Sequence, residues 1–255
     1  MKDYIYNEND NMSAMVTSQP DLLLTLSHFG IPMGFGDKTI AQVCAEHGVN
    51  PQFFLLICQV YSNDNYVPSQ REIMSTPMDG LVPYLLRSHD YYLNRRLPHI
   101  EHHLEKIASM LPKRAGTAIK RFFAAYLEEV REHFEHEETT VYPHIGRLVN
   151  HESGDNFMIK SYLDTHDSLE DKLSDLVQII FKYLPASPHQ EGYHTPPVSP
   201  SILEGELATS SNSDDDSIDM VFDILQLSHD LRKHSLIEEK ILGPYVKHLE
   251  KTAAL

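Results

Sequence analysis

The sequence predicts an all-α protein: an up-down-up-down four-helix bundle preceded by a small helical domain. Four long stretches carry apolar residues at helical spacing. Short turns at 111–113 and 150–154 join neighbouring stretches, so those neighbours should run antiparallel. One unusual motif, H-x3-E-E-x4-P, occurs twice, as "HFEHEETTVYP" at 133–143 and "HSLIEEKILGP" at 234–244.

The 255 residues, 41% of them apolar, suffice for one sizeable core and a small extra domain. Residues 1–20 are polar and read as a flexible N-terminus. A small helical domain follows at 21–63, in which Asp37 and Asn50 are expected N-caps and Gly48 an expected C′ glycine. Residues 64–78 read as a linker and 79–252 as the bundle.

The first bundle helix, about 79–111, carries Leu81, Leu85, His89, Tyr92, Ile100, Leu104, Ile107 and Leu111, with a kink expected at Pro98. The second, about 113–149, carries Ile119, Phe122, Tyr126, Val130, His133, Glu137, Val141 and Leu148. In the third, about 155–184, the stripe is Ile159, Leu163, His166, Leu169, Leu173, Leu176, Ile180 and Leu184. In the fourth, about 217–250, it is Ile218, Phe222, Leu225, Leu231, His234, Glu238, Ile241, Tyr245 and Leu249. Between the third and fourth, about 185–217 is rich in Pro, Ser and Asp and reads as a polar insertion.

Composition excludes several classes of function. Acids outnumber bases 37 to 21, for a formal charge of −16, which argues against nucleic-acid or anionic-membrane partners. No signal peptide and no membrane-spanning run is visible. Cys44 and Cys58 form no CxxC and read as buried thiols of a reducing compartment, so a cytoplasmic location is expected.

The duplication extends beyond the opening motif. "LRSHD" at 86–90 and "LDTHD" at 163–167 share L-x-[ST]-H-D, and each precedes one H-x3-E-E-x4-P. Positions four apart lie about 40° from each other on a helix, so His133 with Glu137, and His234 with Glu238, each share a face. That face is the apolar stripe, where charge is costly unless paired or bound to a cation. His89 lies 22 residues before the first turn and His133 21 after it; Glu137 and His166 stand about equally far from the second. Four helices thus bring His89, His133, His166 and His234, with Glu137 and Glu238, to one height. Mixed imidazole and carboxylate donors suit iron, manganese or zinc, and six side chains exceed one tetrahedral zinc site. Two metals, each with two histidines and sharing two glutamates, use all six. His89 would lie nearest His133 and His166 nearest His234, with pairings across the bundle also open.

These motifs resemble the hemerythrin-like HHE cation-binding family, and within it the four-histidine, two-glutamate repair-of-iron-centres proteins. The resemblance covers about 79–252 and, more weakly, the N-terminal helices. It implies two non-haem iron ions, oxo- and carboxylate-bridged, held by His89, His133, Glu137, His166, His234 and Glu238, with Glu137 and Glu238 as bridges. It implies reaction with nitric oxide, oxygen or peroxide, with damaged iron–sulfur proteins as partners in cluster repair. The stretch "FGIPMGFGD" has no cysteine, where the family commonly has a pair. A di-iron oxygen, nitric oxide or redox sensor, and a non-catalytic metal-binding bundle, are the competing readings.

Other residues are set aside on phase. His229 stands about 140° from His234 and reads as a surface residue, while His136 and Glu138 read as a solvated edge. His144 reads as a helix-end histidine near the His133 face, and the histidines of "PHIEHH" at 98–103 as surface groups too far from His89. Tyr92, Tyr126 and Phe134 should pack around the site. The segment "KTIAQVCAEHGVNPQFFLLICQ" has helix-turn-helix punctuation but no Lys or Arg from Thr39 to Gln70, so it reads as a docking or homodimerisation segment.

Overall fold

The structure, a computed structural model, describes residues 6–152, 157–165, 169–183 and 212–253. Its described residues are helical apart from loops and one isolated bridge between Asn11 and Thr39. No helix among them is long and apolar enough to cross a membrane.

The N-terminal segment holds α1 (Met12–Ser18), α2 (Leu22–His28), α3 (Ile40–Glu46), α4 (Pro51–Ser62) and α5 (Gln70–Ser75). Helix α1 stands where a flexible terminus is expected; Asn11 caps it, and Met12 and Met15 are buried. The expected linker likewise contains α5, anchored by Ile73. Asn50 caps α4 through the amides of Gln52 and Phe53, and Gly48 takes a positive φ of 66° after α3. Asp37 is not a cap. Thr39 opens α3 in a reciprocal capping box with Gln42, leaving Asp37 two residues too early.

The first bundle rod is α6 (Leu81–Tyr91), a π turn (Tyr92–Arg96) and α7 (Leu97–Met110). The second is α8 (Lys113–His136), a π turn (Glu137–Val141) and α9 (Tyr142–Val149). The third contributes α10 (Ile159–Thr165) and α11 (Leu169–Tyr183). The fourth is α12 (Asn212–Ile237), a π turn (Glu238–Leu242) and α13 (Gly243–Ala253). The described fourth rod therefore begins inside the stretch expected as an insertion; residues 185–211 lie outside the described residues. Helix α7 packs on α8, α8 on α11, α11 on α12 and α12 on α7, closing a four-membered ring.

Three stripes follow the sequence pattern, with Leu85, Ile100, Leu104, Ile119, Val130, Leu173, Leu176 and Ile180 all buried. Within the second, Phe123 takes the buried place expected of Phe122, which is half-buried. The fourth stripe departs from expectation. Ile218, Phe222 and Leu225 are 67%, 65% and 48% exposed, and Met220, Ile224, Leu227 and Leu231 are buried instead. Both sets have helical spacing, but counting back from His234 by alternate threes and fours reaches Leu231, Leu227, Ile224 and Met220.

The N-terminal segment is not set apart from the bundle. Phe53, Phe54, Leu56 and Val60 share one continuous core with Leu81, Leu85, Val141, Ile237 and Val246. The rest of the bundle interior, from Tyr92 to Leu231, forms a second cluster.

Candidate metal centre

Each of the three π turns ends one residue before an X–Pro pair: Leu97–Pro98, Tyr142–Pro143 and Gly243–Pro244. Proline supplies no amide proton and its ring crowds the carbonyl four residues back. A widened turn relieves this. The amides of Leu97, Tyr142 and Gly243 donate five residues back, to the carbonyls of Tyr92, Glu137 and Glu238. The expected kink at Pro98 is therefore a π turn, and the x4-P half of the repeated motif encodes the same device just after each glutamate. Aligned on the prolines, Ser88 and Tyr92 of the first rod occupy the places of His133 and Glu137. The extra residue in each turn also shifts the helix phase by about one position. Tyr142 thereby takes the site-facing place that Val141 would otherwise hold, and His144 is carried away to pair with Glu250 at 3.1 Å.

Glu137 lies at the centre and is fully buried. Its Oε2 stands 3.0 Å from His89 Nε2 and its Oε1 2.8 Å from His133 Nε2. Two phenols add to it: Tyr162 donates to Oε1 and Tyr142 to Oε2, the latter at 3.4 Å. His234 Nε2 lies 3.5 Å from Glu238 Oε1, with both residues buried. Donor atoms of His89, Glu137 and His234 lie within 4.8 Å of one another, as do those of His133, Glu137 and Glu238. Five of the six expected residues are thus brought together. His166 lies outside the described residues. His89 approaches His234 across the bundle, with ring centroids 5.1 Å apart, and both Phe134 and Tyr92 pack on this pair as expected.

Hydrogen bonds to the far ring nitrogens fix which atoms face inward. Ser88 donates its hydroxyl proton to the Leu85 carbonyl, so its oxygen must accept from His234 Nδ1 at 2.9 Å. That leaves the lone pair of His234 on Nε2, a buried atom with no hydrogen-bond partner among the described residues. His89 Nδ1 donates to Glu138 at 2.9 Å, so Glu138 is a partner of the site and not merely a solvated edge. Burial opposes a charge on His89, but its bonds to Glu137 and Glu138 prevail and hold the ring's pKa up at about 9. Without a metal, this imidazolium offsets part of the buried carboxylate charge. Inward-facing imidazole nitrogens beside two buried carboxylates fit a hard or borderline divalent cation.

Residues 82–188 match the Hemerythrin HHE cation binding domain. The hemerythrin-like match includes His89, His133, Glu137 and His166, while His234 and Glu238 lie beyond it on the fourth rod. No curated protein and no solved structure matches the chain. The match spans less than half of the chain, and the all-helical ring of rods is consistent with a hemerythrin-like helical bundle.

Pattern did not mark Ser88, Tyr142 or Tyr162 as site residues, and it placed Glu138 on a solvated edge. Three of them occupy motif positions: the [ST] before His, the second Glu, and the residue before Pro. Tyr162 carries no such signal. His229 is exposed, 3.7 Å from Asp21, and His136 is exposed as well. Cys44 and Cys58 are free and buried in the N-terminal core, where burial pushes both thiols upward, Cys44 to about 12.

Proposed function

We propose that this chain is a cytoplasmic non-haem di-iron protein that protects or repairs iron–sulfur centres under nitrosative or oxidative stress. The metal part of this reading rests on Glu137, which turns one oxygen toward His89 and the other toward His133. A carboxylate shared in this way between two donor groups is suited to bridging two ions. His89 and His234 would serve one group, His133 and Glu238 the other, and His166 would complete the set. Iron, when bound, would supply open positions for nitric oxide, dioxygen species or peroxide. The protein's own contribution is to orient and to hold protons. Glu138 and Ser88 lock two imidazoles with Nε2 inward, and the phenols of Tyr142 and Tyr162 keep protons at the two oxygens of Glu137.

The test is metal analysis with an optical spectrum on protein purified without oxygen. The expected result is about two irons per chain with a diferric absorption after oxidation. Glu137→Ala and Glu238→Ala should each lower the iron content, while His229→Ala should leave it unchanged. Equal losses in all three would defeat the assignment, and zinc or manganese alone would defeat the iron reading. Rescue of an enzyme with a nitric-oxide-damaged cluster tests the repair activity itself.

One contact favours a sensor as the second reading. Tyr61 of α4 donates a hydrogen bond to buried Asp230, one helical turn before His234. The N-terminal segment therefore touches the helix that carries a candidate ligand. A metal-state-dependent change of oligomeric state without turnover, such as homodimerisation through that segment, would favour sensing over repair.

A further inference from the structure

Between α6, α9 and α13 lies a pocket of about 280 Å³. Leu81, Val82 and Ile145 contribute its apolar walls, and exposed Asp79 and Gly146 stand at its rim. Tyr142, only 5% exposed, is among its buried lining residues. That same residue reaches the donor cluster. Its hydroxyl lies 3.2 Å from His89 Nε2 and 3.4 Å from Glu137 Oε2, and its ring stacks on His89 with centroids 5.7 Å apart. One side chain therefore belongs to both the pocket and the cluster, and the π turn before Pro143 is what brings it there.

We infer that this pocket is the entrance to the metal centre, and that Tyr142 is its gate. The inference rests on the metal reading above. The chemistry of the pocket selects what would enter. The mostly apolar walls, with Asn150 and Tyr245 as uncharged polar members, offer an anion no cation to replace its hydration, Asp79 at the rim repels it, and the chain as a whole carries −16. A small uncharged molecule crosses such a lining without that loss, and the volume is ample for a diatomic or peroxide-sized guest. Rotation of the phenol about its side-chain bonds would open the wall, while its hydrogen bonds at His89 and Glu137 hold the closed position.

Gly146 offers a way to plug the pocket, because a Cβ built there meets nothing within 4 Å. Xenon is the metal-independent probe, read by methyl chemical shifts of Val82 and Ile145 in the metal-free protein. Nitric oxide binding to the reduced iron-loaded protein, followed by stopped-flow absorption, is the second readout. The wild type should show saturable xenon shifts, and Gly146→Leu and Val82→Phe should abolish them. Both variants should slow nitric oxide binding by roughly tenfold at unchanged iron content, and Tyr142→Ala should speed it by a similar factor. Wild-type nitric oxide rates in plugged, iron-loaded variants would overturn the entrance and leave the metal reading intact. A protein that takes up xenon but no iron would instead fail at the metal reading, and the entrance would fall with it.

Discussion

At the scale of single residues, the centre depends on partners that hold its donors in one protonation state. Glu138 is 41% exposed at its side chain, yet it determines which nitrogen of the buried His89 faces inward. Glu138→Gln should preserve the fold and weaken metal affinity by roughly 10- to 100-fold, the usual cost of losing an outer carboxylate on a metal-binding imidazole. Competition with a coloured chelator would measure it, and an affinity equal to wild type would remove Glu138 from the centre. The motif marks this glutamate as plainly as it marks Glu137. Helical phase alone separates the two, and phase says nothing about a side chain reaching back across a groove to the next rod.

At the scale of elements, the proline-directed π turns and the close approach of two rods matter most. Gly116 faces the end of α7 so closely that a Cβ would fall well inside contact with the Ala108 carbonyl oxygen. In an isolated helix Gly→Ala gains about 1 kcal/mol. Here the backbone oxygen cannot swing aside, so Gly116→Ala should destabilise the protein by a net of about 1–3 kcal/mol, as overpacking does. Denaturant melts would show it, and a stabilised variant would mean that α7 and α8 separate freely at that end. At Gly243, a Cβ would come 2.6 Å from the Leu163 Cδ1 atom, the end of a flexible side chain, so the same change should be milder there.

At the scale of the whole molecule, a second buried polar group joins the N-terminal helices to the bundle. His28 of α2 is 1% exposed and packs edge-on against Tyr84, Tyr91 and Tyr92 of the first rod. Asp230 of α12 lies 3.8 Å away, and the charge of His89 also acts on it. Burial outweighs the attraction of Asp230 and lowers the His28 pKa to about 4. A depressed folded-state value means that the unfolded chain takes up the proton first as pH falls. Stability should therefore decline between about pH 6.5 and 4, by up to about 3 kcal/mol from this group alone. His28→Phe should flatten that part of the profile in the metal-free protein. Parallel profiles for variant and wild type would show that His28 is already charged in the folded state.

The sequence by itself determined the helical class, the rods and the faces of five clustered donors, because a 3.6-residue period and a repeated motif are local properties of the chain. Tertiary structure decided the rest. Whether Met220 or Ile218 turns inward on the fourth rod depends on phase relative to a neighbour, since both stripes have the same spacing. Whether Tyr142 or Val141 faces the donors depends on a π turn, which adds one residue to a helix without changing its composition. Tyr162 and Glu138 meet the site only because separate rods pack side by side, and no spacing along one helix records a contact made by another.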